Sequence, residues 1–279
     1  MIRKTLTALT LSACLAVPFM TQAQTQDRAQ DRAQDRDPIK ASVLQGWQLP
    51  DGRRVAALQL TLDEGWKTYW RAPGDSGIPP RFEWKGARNI ANLQVTWPQP
   101  KVFHDYGSRS IGYKNQVVIP LHITPKNEGK PIKLKGRMDL GICSDICVPH
   151  TLHFDTSLQD AGVVPTPSIA SAMASAPFSA AEAGVKSATC HISAIEEGLQ
   201  IEARITMPSA GGTEEAVIEA GQDAIWVSEP KTRRQGNQLV AVSKMYHAES
   251  PAFSINRSDV RITVLGSNHS VDIRGCSAG

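Results

Sequence analysis

The sequence predicts an all-β protein built as two β-sandwich domains. Three observations carry this. Short apolar or alternating runs rich in β-branched residues recur through residues 38–160 and again through 185–279. Turn residues separate them at intervals suited to a sandwich, with no sustained helical period. Between the halves, "AGVVPTPSIASAMASAPFSAAEAG" at 161–184 shifts to Ala, Ser and Pro, the composition of a linker with room for a short helix around 168–174.

The chain opens on an address. Arg3 and Lys4 precede the apolar run "TLTALTLSACLAVPFM", and "TQA" offers small residues for cleavage after Ala23. Residues 1–23 read as a cleaved secretory signal. "LSAC" at 11–14 is the competing signal, a lipoprotein box that would acylate Cys14, but the apolar "LAVPFM" follows where a polar tether is expected. Residues 24–37, "QTQDRAQDRAQDRD", form a polar repeat expected to be a disordered leader. No later stretch is long and apolar enough to span a bilayer, so a periplasmic location is expected.

In the first half, "RRVAALQLTL" (53–62) and "QVVIPLHIT" (116–124) are the clearest strands, with "KLKGRMDLGIC" (133–143) less regular. Their separators are "PDG" (50–52), "RAPGDSGIPP" (71–80), "WPQP" (97–100) and "NEG" (127–129). In the second half, strands are expected at 199–207, 223–228, 238–246, 260–266 and 269–275, while "GGTEEAVIEAG" hints at a helical turn. With 30 Lys+Arg against 27 Asp+Glu, nothing calls for nucleic acid or an anionic membrane.

Loss of the signal leaves Cys143, Cys147, Cys190 and Cys276, an even count that argues for disulfides in an oxidising compartment. A Cys190–Cys276 bond would tie the start of the second domain to its end. On the chain-entropy model its ring contributes about 4–5 kcal/mol, against about 2 kcal/mol for the small Cys143–Cys147 ring. The long bridge is a sensible structural staple and the short one a poor device for stability. An extended strand separates residues four apart by about 13 Å, so "CSDIC" must turn sharply, with Ser144 and Asp145 at its tip. A strained or exposed ring there would exchange readily. An inert clip and a metal claw remain the other readings. The metal reading draws on His150 and His153 after the pair, with His104 and Met138 elsewhere, but C-x3-C-x2-H is not a strong zinc pattern.

The segments "GWKTYWRAPGDSGIPP", "VTWPQP", "FHDYGSRSIGY", "VVIPLHI" and "GICSDICVP" occur in order over about a third of the chain. Together they resemble the N-terminal domain of the DsbD-type thiol:disulfide interchange proteins, in the branch of the suppressor-of-copper-sensitivity reductase ScsB. The resemblance implies an immunoglobulin-like sandwich with a redox pair. Electrons would come from a thioredoxin-like or membrane electron-transfer partner and pass to periplasmic disulfide-containing clients, as in a protein-disulfide reductase. Cys147 would form the mixed disulfide and Cys143 resolve it. "FHDYGSRS" matches a capping loop, making Phe103, His104, Asp105 and Tyr106 candidate shielding or tuning residues, joined by Asp145 and His150 next to the pair. Tyr69, Trp70 and Tyr113 are candidates for an aromatic surround, with core packing the plainer reading for Trp70. No cofactor and no resident metal are implied. DsbD spaces its pair more widely than C-x3-C, and this sequence shows no transmembrane electron-transfer domain and no C-terminal thioredoxin domain, so either a separate membrane protein supplies electrons or the domain has been recruited for another task. Copper handling and non-catalytic binding or assembly are the alternative functions.

Overall fold

The computed structural model describes residues 37–105, 107–159, 162–250 and 252–279. The expected signal sequence, Cys14, the expected leader up to residue 36 and Tyr106 lie outside the described residues. Residues 38–279 form one compact unit.

The first half contributes β1 (Ile39–Gln48), β2 (Arg54–Leu62), β3 (Lys67–Tyr69), β4 (Arg81–Glu83), β5 (Ile90–Val95), β6 (Lys101–Asp105), β7 (Ser108–Lys114), β8 (Gln116–Pro125), β9 (Ile132–Cys143) and β10 (Cys147–Leu158). One sheet runs β1-β2-β8-β5. The other runs β10-β9-β3-β7-β6, with β4 also paired to β9. Alternation sends Leu58, Leu60, Ile119 and Leu121 from the first sheet against Ile111, Met138, Leu140 and Ile142 from the second, around a fully buried Trp70. In β9 this leaves Asp139, Gly141 and Cys143 on the outer face.

The second half repeats the plan with β11 (Phe178–Ser179), β12 (Ser187–Ile195), β13 (Gly198–Thr206), β14 (Glu215–Glu219), β15 (Ile225–Val227), β16 (Lys231–Gln235), β17 (Gln238–His247), β18 (Arg261–Leu265), β19 (Ser270–Arg274) and β20 (Ser277–Ala278). Its sheets run β11-β19-β18-β14 and β15-β17-β13-β12-β20, with β16 beside β17. Ile201, Ile205, Val264 and Val271 fill the space between them. The chain is thus all-β, with two sandwiches of the immunoglobulin-like kind. One expectation is corrected: the acidic stretch read as a helical turn is β14. Its Ala216, Val217 and Ile218 are buried on both sides, and its backbone pairs with β18; long-range pairing overrides the weak local helix preference of Glu and Ala.

The Ala/Ser/Pro segment is docked. Helix α1 (Pro167–Ala174) starts with Pro in its first turn, where the missing N–H is harmless. It drops Ile169, fully buried, among Trp47, Val55 and Ala57 of the first sandwich. A few residues on, β11 joins the second sandwich beside β19. The two sandwiches also meet directly. Val217 and Leu265 pack into the first core, and the Arg71 guanidinium, 3.8 Å above the Trp70 ring, donates to Glu219 and Thr263 at 2.9 Å each.

Candidate functional site

The β9–β10 hairpin sets the site. Its register is unbroken from Ile132 opposite Leu158 to Cys143 opposite Cys147. Three residues, Ser144, Asp145 and Ile146, close the loop, and the two cysteines face each other with Cα atoms 4.1 Å apart, joined by a disulfide. The two sulfurs are not equivalent. Cys143 is 5% exposed, while Cys147 is exposed at the edge of the sheet. Beside Cys147, Ile146 and Val148 hold their apolar side chains in solvent, at 72% and 38% exposure.

Strand β3 builds the floor. Lys67 lies opposite Cys143 in the β3–β9 ladder, and Tyr69, two residues on, shares its face. The Tyr69 hydroxyl reaches 3.1 Å from the Cys147 sulfur. Its ring fits over Gly141, where a Cβ would stand 2.9 Å from the ring atoms and 2.7 Å from Ile78. Gly77 flanks the other edge, where a Cβ would come within 2.8 Å of the same ring. The "PGDSGI" loop and the glycine of "GIC" are therefore shaped around one tyrosine. Burial, then the Asp105 charge, raises the Tyr69 pKa, which keeps the hydroxyl protonated and able to donate.

An open cleft of about 600 Å³ runs along this face, lined by Lys67, Tyr69, Asp105, Cys143, Asp145 and Cys147 among others. The Lys67 ammonium, in a residue only 8% exposed, donates to Asp105 at 2.7 Å and to the Ser110 hydroxyl at 3.1 Å. That bond to Lys67 is the main reason the Asp105 carboxyl sits below its usual range.

The structure gathers Asp105 and Asp145 at the cleft with both cysteines. Phe103 stands one layer away, its ring beneath the ammoniums of Lys114 (4.7 Å) and Lys67 (5.4 Å). His104 turns from the cleft to Glu215 of the second sandwich, 3.2 Å away. His150 projects to the strand face opposite Cys147 and borders a separate groove with Ile78, Arg81 and Pro149. Trp70 is core, and Tyr113 is buried with its hydroxyl donating to the Pro98 carbonyl at 2.8 Å. Cys190 and Cys276 are disulfide-bonded, linking β12 to the C-terminal residues next to β20. Among the described residues no three His, Cys, Asp or Glu side chains gather as metal ligands, and Met138 is buried in the core. Sequence reasoning does not single out Lys67 or Ile146. The available signal for Lys67 is its i,i+2 relation to Tyr69 in a strand; that for Ile146 is an apolar residue inside a turn.

Residues 37–159 match the family described as "Thiol:disulfide interchange protein DsbD, N-terminal". The N-terminal periplasmic domain of ScsB from Proteus mirabilis is similar in structure, with a TM-score of 0.67 at 19% identity over 88% of this chain and 96% of that one. The reduced N-terminal domain of DsbD from Neisseria meningitidis aligns at 16% identity over 44% of this chain and 90% of that one, with a TM-score of 0.25. No curated protein matches the sequence. The hairpin, the disulfide and the "GWKTYW" floor all fall inside the segment that matches this DsbD N-terminal family.

Proposed function

We propose that this chain is a periplasmic thiol–disulfide exchange module that passes electrons from a thioredoxin-like partner to oxidised client proteins through Cys143 and Cys147. The observation that carries this reading is the asymmetry of the pair: Cys147 is open to an incoming sulfur, and Cys143 is 5% exposed behind it. A bond that only braced the hairpin would not need an exposed sulfur beside a cleft.

The geometry supports a two-step exchange. A partner thiolate attacks the Cys147 sulfur in line with the Cys143–Cys147 bond, and the bonding electron pair leaves on Cys143. The partner's second thiolate then attacks its own sulfur in the mixed disulfide and releases Cys147 as a thiolate. Two electrons have moved, and the partner leaves as a disulfide. With a client the steps reverse: Cys147 attacks, and Cys143 resolves the mixed disulfide. In both directions the Tyr69 hydroxyl donates to the Cys147 thiolate, lowering its pKa and improving it as nucleophile and leaving group. The exposed Ile146 and Val148 give a partner apolar surface to cover while it reacts.

Trapping tests this. Cys143→Ser leaves Cys147 free and is expected to accumulate a mixed disulfide with an oxidised thioredoxin-like domain. Cys147→Ser is expected to trap little. Equal trapping by both variants, or no reduction of the wild-type pair by a thioredoxin-like donor, would overturn the reading.

A further inference from the structure

We infer that the open edge of β10 beside Cys147 is a docking strand: an extended segment of an oxidised client adds to it in antiparallel register and so delivers its cysteine to Cys147. The inference rests on the exchange reading above and deepens it by naming how the client is held.

β10 is the end strand of its sheet, paired with β9 alone. Residues directly opposite in an antiparallel ladder alternate between hydrogen-bonded pairs, about 5.5 Å apart at Cα, and non-hydrogen-bonded pairs, about 4.5 Å apart. Cys143 and Cys147, at 4.1 Å, are a non-hydrogen-bonded pair. The backbone groups of Cys147 therefore point away from β9, as do those of every second residue after it. Other contacts agree with this phase. The Gly141 carbonyl, opposite Pro149, turns away from β10 and accepts from the Thr68 hydroxyl at 2.9 Å. At the far end of β10 the Ser157 carbonyl accepts from the Gln45 side chain at 3.4 Å, and the Gln159 N–H donates to the same side chain at 3.3 Å.

The two ends of this edge differ. An open edge is a template for pairing with another chain, and folded proteins usually cover it. Here the Gln45 amide covers the far end as a neighbouring strand would. From Cys147 to Thr151, no backbone partner lies on the outer side among the described residues. Pro149, without an N–H, sits where that N–H would face outward, a position proper to an edge strand. The edge thus offers both backbone groups of Cys147, the carbonyl of Pro149 and both groups of Thr151. A groove of about 510 Å³ borders the same residues, with Ile78, Pro79, Arg81 and Asp139 on its other walls, and gives the side chains of an added strand a seat.

The register places the chemistry. A residue set directly opposite Cys147 exchanges two backbone hydrogen bonds with it, its Cα about 5.5 Å away and its side chain on the same face. That separation lies inside the roughly 4.4–6.8 Å that disulfides span. The docked cysteine also approaches from the open side of β10, away from Cys143. The Cys147 thiolate attacks the docked sulfur, and the client's second sulfur leaves with the bonding electron pair. The Cys143 thiolate then attacks Cys147, and the docked sulfur leaves in turn; both client sulfurs take up protons from water. Main-chain bonds supply the affinity in such strand addition, so the edge accepts clients of differing sequence.

The test uses the Cys143→Ser protein and short peptides whose single cysteine is activated as a mixed disulfide with 5-thio-2-nitrobenzoate, so that release of the coloured thiolate reports capture by Cys147. In the antiparallel register, the peptide residues two and four positions before the cysteine turn their N–H groups to the Pro149 and Thr151 carbonyls. N-methylation at either is expected to slow capture about three- to tenfold, and N-methylation one or three positions before the cysteine, where the N–H faces solvent, by less than about twofold. A client held by apolar contact alone would not show this alternation. In the captured complex, the amides of Cys147 and Thr151 should exchange with solvent several-fold more slowly, while those of Val148 and His150, already bonded to β9, stay unchanged. Equal slowing by all four methylations, no slowing, or protection without alternation would overturn the docking and leave the exchange reading standing. A protein that captures none of the peptides overturns both. A wild-type pair that no thioredoxin-like donor reduces counts against the exchange reading alone.

Discussion

The hydroxyl of Tyr69 lies 3.1 Å from the Cys147 sulfur, and the ring that carries it rests on Gly141 of the same hairpin that holds the disulfide. One side chain thus links the chemistry of the exposed sulfur to the packing of the sheet beneath it. Tyr69→Phe keeps the ring and removes the donor. A hydrogen bond to a charged group is worth about 1.5–3 kcal/mol, so the Cys147 pKa should rise by about one unit or more. The rate at which the reduced protein attacks a client disulfide at neutral pH should fall several-fold. The alkylation pH profile of Cys147 in a Cys143→Ser background measures the first effect and stopped-flow kinetics the second. An unchanged profile would remove Tyr69 from the mechanism.

Gly141 should tolerate no side chain. A Cβ there meets the Tyr69 ring at 2.9 Å and Ile78 at 2.7 Å, and both neighbours are held by packing. Gly141→Ala is expected to cost about 1–3 kcal/mol, the usual range for overpacking. It should also displace the Tyr69 hydroxyl and so slow exchange. Urea unfolding reads the first effect; a variant as stable as the wild type would show that the loop over Tyr69 yields easily.

The Cys190–Cys276 bridge should matter for stability and leave redox chemistry alone. It joins residues 86 apart in sequence, far from the cleft. Replacing both cysteines with alanine is expected to cost about 2–5 kcal/mol without changing the reduction potential of the Cys143–Cys147 couple. A shifted potential would mean that the two sandwiches are coupled more tightly than their packing implies.

Acid should weaken the joint between the sandwiches. Burial alone would raise the Asp272 pKa, but hydrogen bonds and charge from Arg261, with Arg71 and Arg274 adding to them, hold it below its usual value. Because the folded pKa is the lower one, the stabilisation is complete above the unfolded value and is lost as pH falls through the folded value, below about pH 4. Arg71 approaches Asp272 at 3.8 Å from the first sandwich, so part of this loss is a loss of contact between the halves. Between pH 7 and pH 3 the wild type should lose more stability than Asp272→Asn. Parallel losses in urea unfolding would refute the role.

Much of the fold was legible before any tertiary information. The runs at 53–62, 116–124 and 238–246 alternate or are uniformly apolar, and each is a strand within a residue or two. β14 was not legible. Its Glu and Ala favour a helix locally, and only pairing with β18, more than forty residues later, makes it a strand. The docked α1 was legible as a short helix, but its anchoring through Ile169 was not, because a single buried residue in an Ala/Ser segment leaves no periodic trace. At the site, the cysteine pair announced itself by spacing. Lys67 did not, since a lysine in a strand is ordinary until the register sets it opposite a cysteine. His104 and His150 look equally placed in sequence, yet one reaches Glu215 and the other faces the far side of β10.

The sequence by itself determined the all-β class, the turn that closes Cys143 on Cys147, and an even set of four cysteines in the two halves, because period-2 alternation, turn chemistry and short-ring geometry are local properties of the chain. The tertiary structure decided that Cys147 faces solvent while Cys143 does not, and that Tyr69 and Lys67 stand beneath them. It also decided that the candidate cap divides between Asp105 at the cleft and His104 on the second sandwich. Those outcomes depend on which strands become neighbours and in what register, and register is fixed by burying one face of every strand at once.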